Sequence, residues 1–142
     1  MTIDIHIAQN KTEIEEVLKI RKEVFIKGQN VPIYLEKDGL DESSEHAILY
    51  CDNVPTGCAR IRYINGSMRL ERIAILEQMQ GKKLGSKLVN FLIEYGEEKG
   101  VREINMHAQY HLLEFYKRFG LEQRGEPFYE IDTKHIEMAL EY

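Results

Sequence analysis

The run Arg72-Ile-Ala-Ile-Leu-Glu-Gln-Met-Gln-Gly-Lys-Lys-Leu-Gly-Ser-Lys-Leu has the make-up of an anion-binding turn. Its apolar start, Ile73 to Leu76, reads as a buried strand, while Leu84 and Leu88 open a helical stripe. Between them Gly81 and Gly85 permit tight backbone geometry, and Lys82 and Lys83 add positive charge. Free N–H groups and the positive dipole end at the start of a helix suit a pyrophosphate. An ordinary strand-to-helix turn with a solvated lysine pair has the same local pattern. A P-loop is excluded, because three residues separate the glycines and Ser86-Lys87 follows them; no GxGxxG fingerprint is present. Groups able to move protons lie elsewhere: Glu71, Tyr116, and the histidines His46, His107 and His135, which titrate near neutrality. His107 and His111 have the spacing of a zinc pair. The intervening pattern is not HExxH and the two straddle a strand–helix junction, so no metal is expected.

These groups need a scaffold, and the apolar periodicity supplies one. Ile3, Ile5 and Ile7 alternate as a half-buried strand. Thr12 and Glu15 have capping-box spacing, and Ile14, Val17, Leu18, Val24 and Phe25 share a helical face. Lys27 to Glu45 shows no sustained period and reads as a long loop, with a helical turn at most. Its acids Glu36, Asp38, Asp41, Glu42 and Glu45 would either attract a cationic amine or simply be solvated. Strands follow at His46–Cys51, Gly57–Ile64 and Ser67–Leu76, with Asn65-Gly66 as a type I′ hairpin turn. The switch from alternating to wholly apolar residues after Glu71-Arg72 predicts a bulge there or burial on both faces. Leu84 to Lys99 reads as a helix stopped at Gly100, and Ile104, Met106 and Ala108 as a strand. Leu112 to Phe119 follows as a short helix, and two strands close the chain near Leu121–Phe128 and His135–Glu141. The order predicts a single α/β (α+β) domain over residues 1–142, on a mixed sheet.

The segment Gln80-Gly-Lys-Lys-Leu-Gly85 resembles the Q/R-x-x-G-x-G/A motif of the GNAT superfamily of N-acetyltransferases. Glu114-Phe-Tyr-Lys-Arg-Phe-Gly-Leu121 resembles that family's FYxxxGF segment, at the expected separation. Further similarity, to a small single-domain bacterial subgroup, runs through Arg21 to Ile26, Gln29 to Pro32, Glu45-His46, Leu70 to Ile73 and His135 to Met138. One position departs from the pattern: the motif's first glycine is Lys83, which sets a Cβ where backbone approaches phosphate and adds a charge beside it.

The resemblance implies a mostly antiparallel sheet of about six to seven strands with helices on both faces, and transfer of an acetyl group from acetyl-CoA to an amine. It implies that Ile73, Ala74 and Ile75 pair with the pantetheine arm, beside a splay from the strand at Ile104. Gln80, Gly81, Lys82, Lys83, Leu84, Gly85 and Ser86 would then hold the pyrophosphate. Tyr116 aligns with the tyrosine that protonates the leaving thiolate. Glu71 is the first choice for the base, with His107 able to act directly or through water and His46 and His135 placed to line the acceptor side. A GNAT domain that holds CoA or a protein partner without turnover is the alternative, which Lys83 favours and Tyr116 opposes. A homodimer is a further family-level implication.

The bulk properties exclude other classes. With 19 basic and 24 acidic residues the net charge is −5, which argues against nucleic-acid binding and suits a cationic substrate. No apolar run is long enough to span a membrane, and the first residues lack a secretion signal, so a cytoplasmic protein is expected. The cysteines Cys51 and Cys58 are expected as reduced, partly buried thiols.

Overall fold

The computed structural model describes residues 1–142. Strand β1 spans Ile3–Ile7 and helix α1 Lys11–Arg21, which runs on as a π-type turn over Lys22–Lys27. The helix cap lies earlier than Thr12: the Glu13 N–H donates to Asn10 Oδ1 at 2.9 Å, and Glu13 Oε1 accepts from the Gln9 N–H at 2.8 Å. Asn10 wins because its side chain reaches the free N–H three residues on. The long loop carries one helical turn, α2, at Ile33–Glu36.

A meander of three strands follows: β2 (Glu45–Cys51), β3 (Val54–Ile64) and β4 (Ser67–Ile75). The β2–β3 turn is a tight one, and β3 starts three residues earlier than the expected Gly57. Asp52 and Asn53 take φ of 50° and 67°, and β3 already begins at Val54. Asn65 and Gly66, at 50° and 82°, form the expected turn between β3 and β4. Helix α3 (Leu84–Lys99), strand β5 (Glu103–Gln109), helix α4 (Leu113–Lys117) and strands β6 (Glu122–Glu130) and β7 (Thr133–Glu141) complete the chain.

The strands form one seven-stranded sheet in the order β1-β2-β3-β4-β5-β7-β6. Only β4 and β5 run parallel, as a crossover through α3 requires. On one face α3 and α4 cover a core of Ala47, Leu49, Ile61, Met68, Leu70, Leu88, Leu92, Ile104 and Met138. On the other, Val17 and Ile20 of α1 pack against Ile48, Cys58 and Ala74. That second face is covered by α1 only over part of the sheet. Beyond α1 that face carries half-buried polar residues, Arg69 on β4, Asn105 and His107 on β5 and Glu137 on β7. Both cysteines are free and buried.

Candidate active site

Two irregularities in β4 make the site. At Arg72, whose φ is 54°, an extra residue bulges out, so that Arg60 pairs with Glu71 but Cys58 with Ala74. The parallel pairing with β5 meanwhile ends at Leu70 and Met106. Beyond it β4 stays bonded to β3, and β5 to β7, so the sheet opens into a V. The splay from β5 and the bulge against β3 thus lie next to each other on β4. Along one arm Ile73, Ala74 and Ile75 keep an edge free of strand partners on the β5 side.

The V runs into a cleft of about 1230 Å³. This lies above the ~300–1,000 Å³ usual for a small-molecule pocket. At one end lies the turn before α3. Lys83 caps the helix in the left-handed region, φ 62°, and Gly81 has φ 83°. The first helical bond is Lys87 N–H to Lys83 O at 3.3 Å, which leaves the N–H groups of Leu84, Gly85 and Ser86 without intrahelical acceptors. Lys83 therefore holds a left-handed conformation that glycine adopts freely, at roughly 1 kcal/mol of strain. Gln80, Gly81, Lys83, Leu84, Gly85 and Ser86 line the cleft, whereas Lys82 does not. Gln80 Nε2 donates to Ile75 O at 3.3 Å, tying the turn to the end of β4.

Tyr116 lines the same cleft, 6% exposed, with the edge of Phe115 against its ring. Burial alone pushes its phenol up to about 12, so it stays protonated at neutral pH.

Glu71 also lines the cleft, but its charge is engaged. Oε1 accepts from Arg60 Nη2 at 2.8 Å and from Arg62 Nε at 2.7 Å, and Oε2 from Arg62 Nη2 at 3.2 Å. Burial would raise its carboxyl, but the two guanidiniums outweigh it and leave the group below the usual carboxylate range. A carboxylate so stabilised is a weak base.

The acidic loop is engaged too. Fully buried Arg21 holds Glu36 at 2.8 Å and Asp41 at 2.7 Å; fully buried Arg60 holds Asp38 at 2.7 Å and Asp41 at 3.0 Å. Arg72 adds a bond to Glu36 at 3.1 Å. Three of the loop's acids therefore fasten it to the sheet, and only Glu36 of them reaches the cleft wall. His46 belongs to this lattice rather than to the acceptor side. It is buried and outside the cleft, with Nε2 2.9 Å from Asp41 O, because it shares a sheet face with its partner Arg60 beneath the loop.

His107 and His135 do line the cleft, and a residue absent from the sequence reading joins them. Glu130, at the end of β6, sets Oε1 2.7 Å from His107 Nδ1 and Oε2 4.0 Å from His135 Nε2. A carboxylate can only accept, so the His107 Nδ1 that faces it is the donor of this bond. Nε2 lies 3.8 Å from Glu137 Oε1, and Phe128 packs its edge on the ring. No local pattern marks Glu130; it arrives through the β6–β7 register, which pairs it with Thr133. His107 is the first β5 residue beyond the last β4–β5 pair, as Glu71 is on β4.

Residues 8–142 match the family model described as an acetyltransferase (GNAT) domain. The chain belongs to the GNAT family of acetyltransferases. Among relatives, it is 32% identical over 133 residues to the uncharacterized N-acetyltransferase YjcF of Bacillus subtilis, covering 93% of this chain and 95% of that protein. An acyl-CoA N-acyltransferase from Pseudomonas aeruginosa superposes with a TM-score of 0.89 at 26% identity, covering 98% of this chain and 99% of that one. A Bacillus subtilis acetyltransferase in complex with CoA shares the fold, with a TM-score of 0.76 at 16% identity and 99% coverage of each chain. Family membership makes acetyl-CoA the acetyl donor and N-acetyl transfer the reaction. No three His, Cys, Asp or Glu side chains converge as a metal site, and no helix is long and apolar enough to cross a membrane.

Proposed function

We propose that this GNAT enzyme acetylates its amine by direct attack within a ternary complex, with His107 as base and Tyr116 as acid. The carrying observation is the V between β4 and β5, which opens one cleft to the α3 turn, to Tyr116 and to His107 together. Pyrophosphate sits on the N–H groups of Leu84 to Ser86, with Lys83 adding charge, and the pantetheine arm extends β4 along Ile73–Ile75. The ammonium loses one proton to His107 Nε2, whose Nδ1–H is held by Glu130. The free amine attacks the thioester carbonyl, forming the C–N bond, and collapse breaks the C–S bond. A phenol raised to about 12 is too weak to give up its proton unaided. The thiolate therefore takes it as the nitrogen's second proton passes to the phenolate oxygen. The products are the amide and CoA thiol, with one proton left on His107 for solvent. The base role thus moves from Glu71, held by Arg60 and Arg62, to His107. The two free thiols suit a reducing, cytoplasmic compartment.

Tyr116→Phe tests the acid. CoA thiol released with the best amine of a panel should fall by ~10²-fold in kcat and kcat/KM alike, with acetyl-CoA affinity and melting temperature unchanged. Full activity in a folded variant would return Tyr116 to packing alone.

A further inference from the structure

Two arginines of β4 line the cleft, and the protein treats them differently. Arg72 is bonded to Glu36 at 3.1 Å and faces Asp38 at 3.4 Å. Arg69 has no carboxylate partner. Of its five N–H donors, one at Nη1 bonds Asn105 Oδ1 at 3.1 Å, and its Nε is buried without an acceptor. A buried donor left unpaired is costly and calls for an explanation. The nearby acid cannot supply one. Glu103 accepts from Asn105 Nδ2 at 2.9 Å and from Arg124 at 3.1 and 3.0 Å, which turns the Asn105 oxygen toward Arg69 and uses up the Glu103 charge. Those bonds hold the Glu103 carboxyl at about 2, firmly ionised and firmly engaged.

Arg69 and Asn105 are register partners on the uncovered face of the sheet, and His107 follows two residues along β5 on that face. Two residues of strand advance about 7 Å. A guanidinium short of a counter-charge and the Glu130–His107 pair therefore lie within the span of one small molecule.

We propose that the acceptor is an amine that also carries a carboxylate: Arg69 binds the carboxylate while the ammonium meets His107 and Glu130. The placement of the ammonium rests on the function proposed above; the Arg69 site does not. The bound carboxylate supplies the missing countercharge and accepts from N–H groups at the Nη end of the planar guanidinium, Nε itself being buried within the protein.

The test measures β-alanine, 4-aminobutyrate and L-aspartate beside their methyl esters, by release of CoA thiol and by calorimetric binding to the protein with CoA present. An aspartate-initiated tripeptide amide distinguishes a free amino acid from a protein N-terminus as the source of the carboxylate. Acids should be preferred over esters by roughly ten- to a hundredfold, the range for a hydrogen bond to a charged group. Arg69→Met should bring that ratio close to one, and Arg69→Lys should keep part of it, with melting curves and acetyl-CoA affinity as folding controls. Amines acetylated or bound without regard to the carboxylate would overturn the proposal, as would a preference that survives Arg69→Met. Arg69-dependent binding of the acids without turnover of any amine would uphold the carboxylate site and overturn the catalytic reading instead.

Discussion

Two charged clusters meet at the bulge of β4, and they differ in how fully their charges are matched. Beneath the acidic loop, Arg21, Arg60, Arg62 and Arg72 share Glu36, Asp38, Asp41 and Glu71 through many short bonds, with Arg21 and Arg60 wholly buried. On the paired part of β4 Arg69 lacks a carboxylate, and across the V Glu130 is bonded to a histidine rather than to an arginine. Matched charge holds a loop in place; unmatched charge in a cleft is available to a ligand. The cluster richest in acids is, on this view, the structural one.

The largest effect should come from breaking the matched lattice. Arg60→Met leaves Asp38, Asp41 and Glu71 short of a counter-charge, and removing one partner of a buried pair costs about 3–5 kcal/mol. The same lattice sets the response to acid. The carboxyls of Asp38, Asp41 and Glu71 all lie below their ordinary values, chiefly through bonds to Arg60, Arg21 and Arg62 that outweigh burial where it opposes them. Groups of this kind contribute stability that is whole above the unfolded carboxylate range and is lost as pH falls through their folded values. Urea midpoints should therefore hold from pH 7 to about 5 and drop below about 4. In Arg60→Met the acid-sensitive part of that curve should shrink. A midpoint unchanged by the substitution would mean that the lattice adds nothing.

A smaller effect is expected at Lys83. Glycine there removes the left-handed strain, partly offset by greater freedom in the unfolded chain, so Lys83→Gly should raise the melting temperature by about 1–3 °C. Acetyl-CoA should bind a few-fold more weakly at low salt and with less salt dependence, because a screened charge is lost. A lower melting temperature, or tighter binding, would contradict this account of the turn.

Much of the scaffold could be read from the chain because its signals are local. The Asn65-Gly66 turn, the stripe of α3, the strand–turn–helix at Gly81 to Ser86 and the pattern break at Glu71-Arg72 each depend on neighbouring residues. The cap at Asn10 was missed by two positions, since Thr12 offers the same chemistry with the spacing of a capping box. The two charged clusters were harder to read for a physical reason: their pairings join distant segments. Arg60 meets Asp38 across 22 residues, and His107 meets Glu130 across 23. A run of loop acids looks equally free whether or not buried arginines wait for it. His46 looks in the sequence like Glu71 or His107, a polar residue on a strand, until its partner strand places it under the loop. Arg69 did leave a trace, as a charged residue alternating with Met68 and Leu70, but only its missing partner singles it out.

If open charge does the chemistry and matched charge holds the fold, His107 and Glu71 should respond in opposite ways to loss of their charge. His107→Gln and Glu71→Gln would be compared by steady-state release of CoA thiol and by melting temperature in the same buffer. His107→Gln should lose ~10²-fold in kcat/KM with its melting temperature within about 2 °C of the parent, as expected for loss of a positioned base. Glu71→Gln should melt several degrees lower, through its lost bonds to Arg60 and Arg62, with turnover reduced less than about tenfold. The reverse pattern, an inactive but stable Glu71→Gln and an active His107→Gln, would return the base to Glu71 and contradict the account.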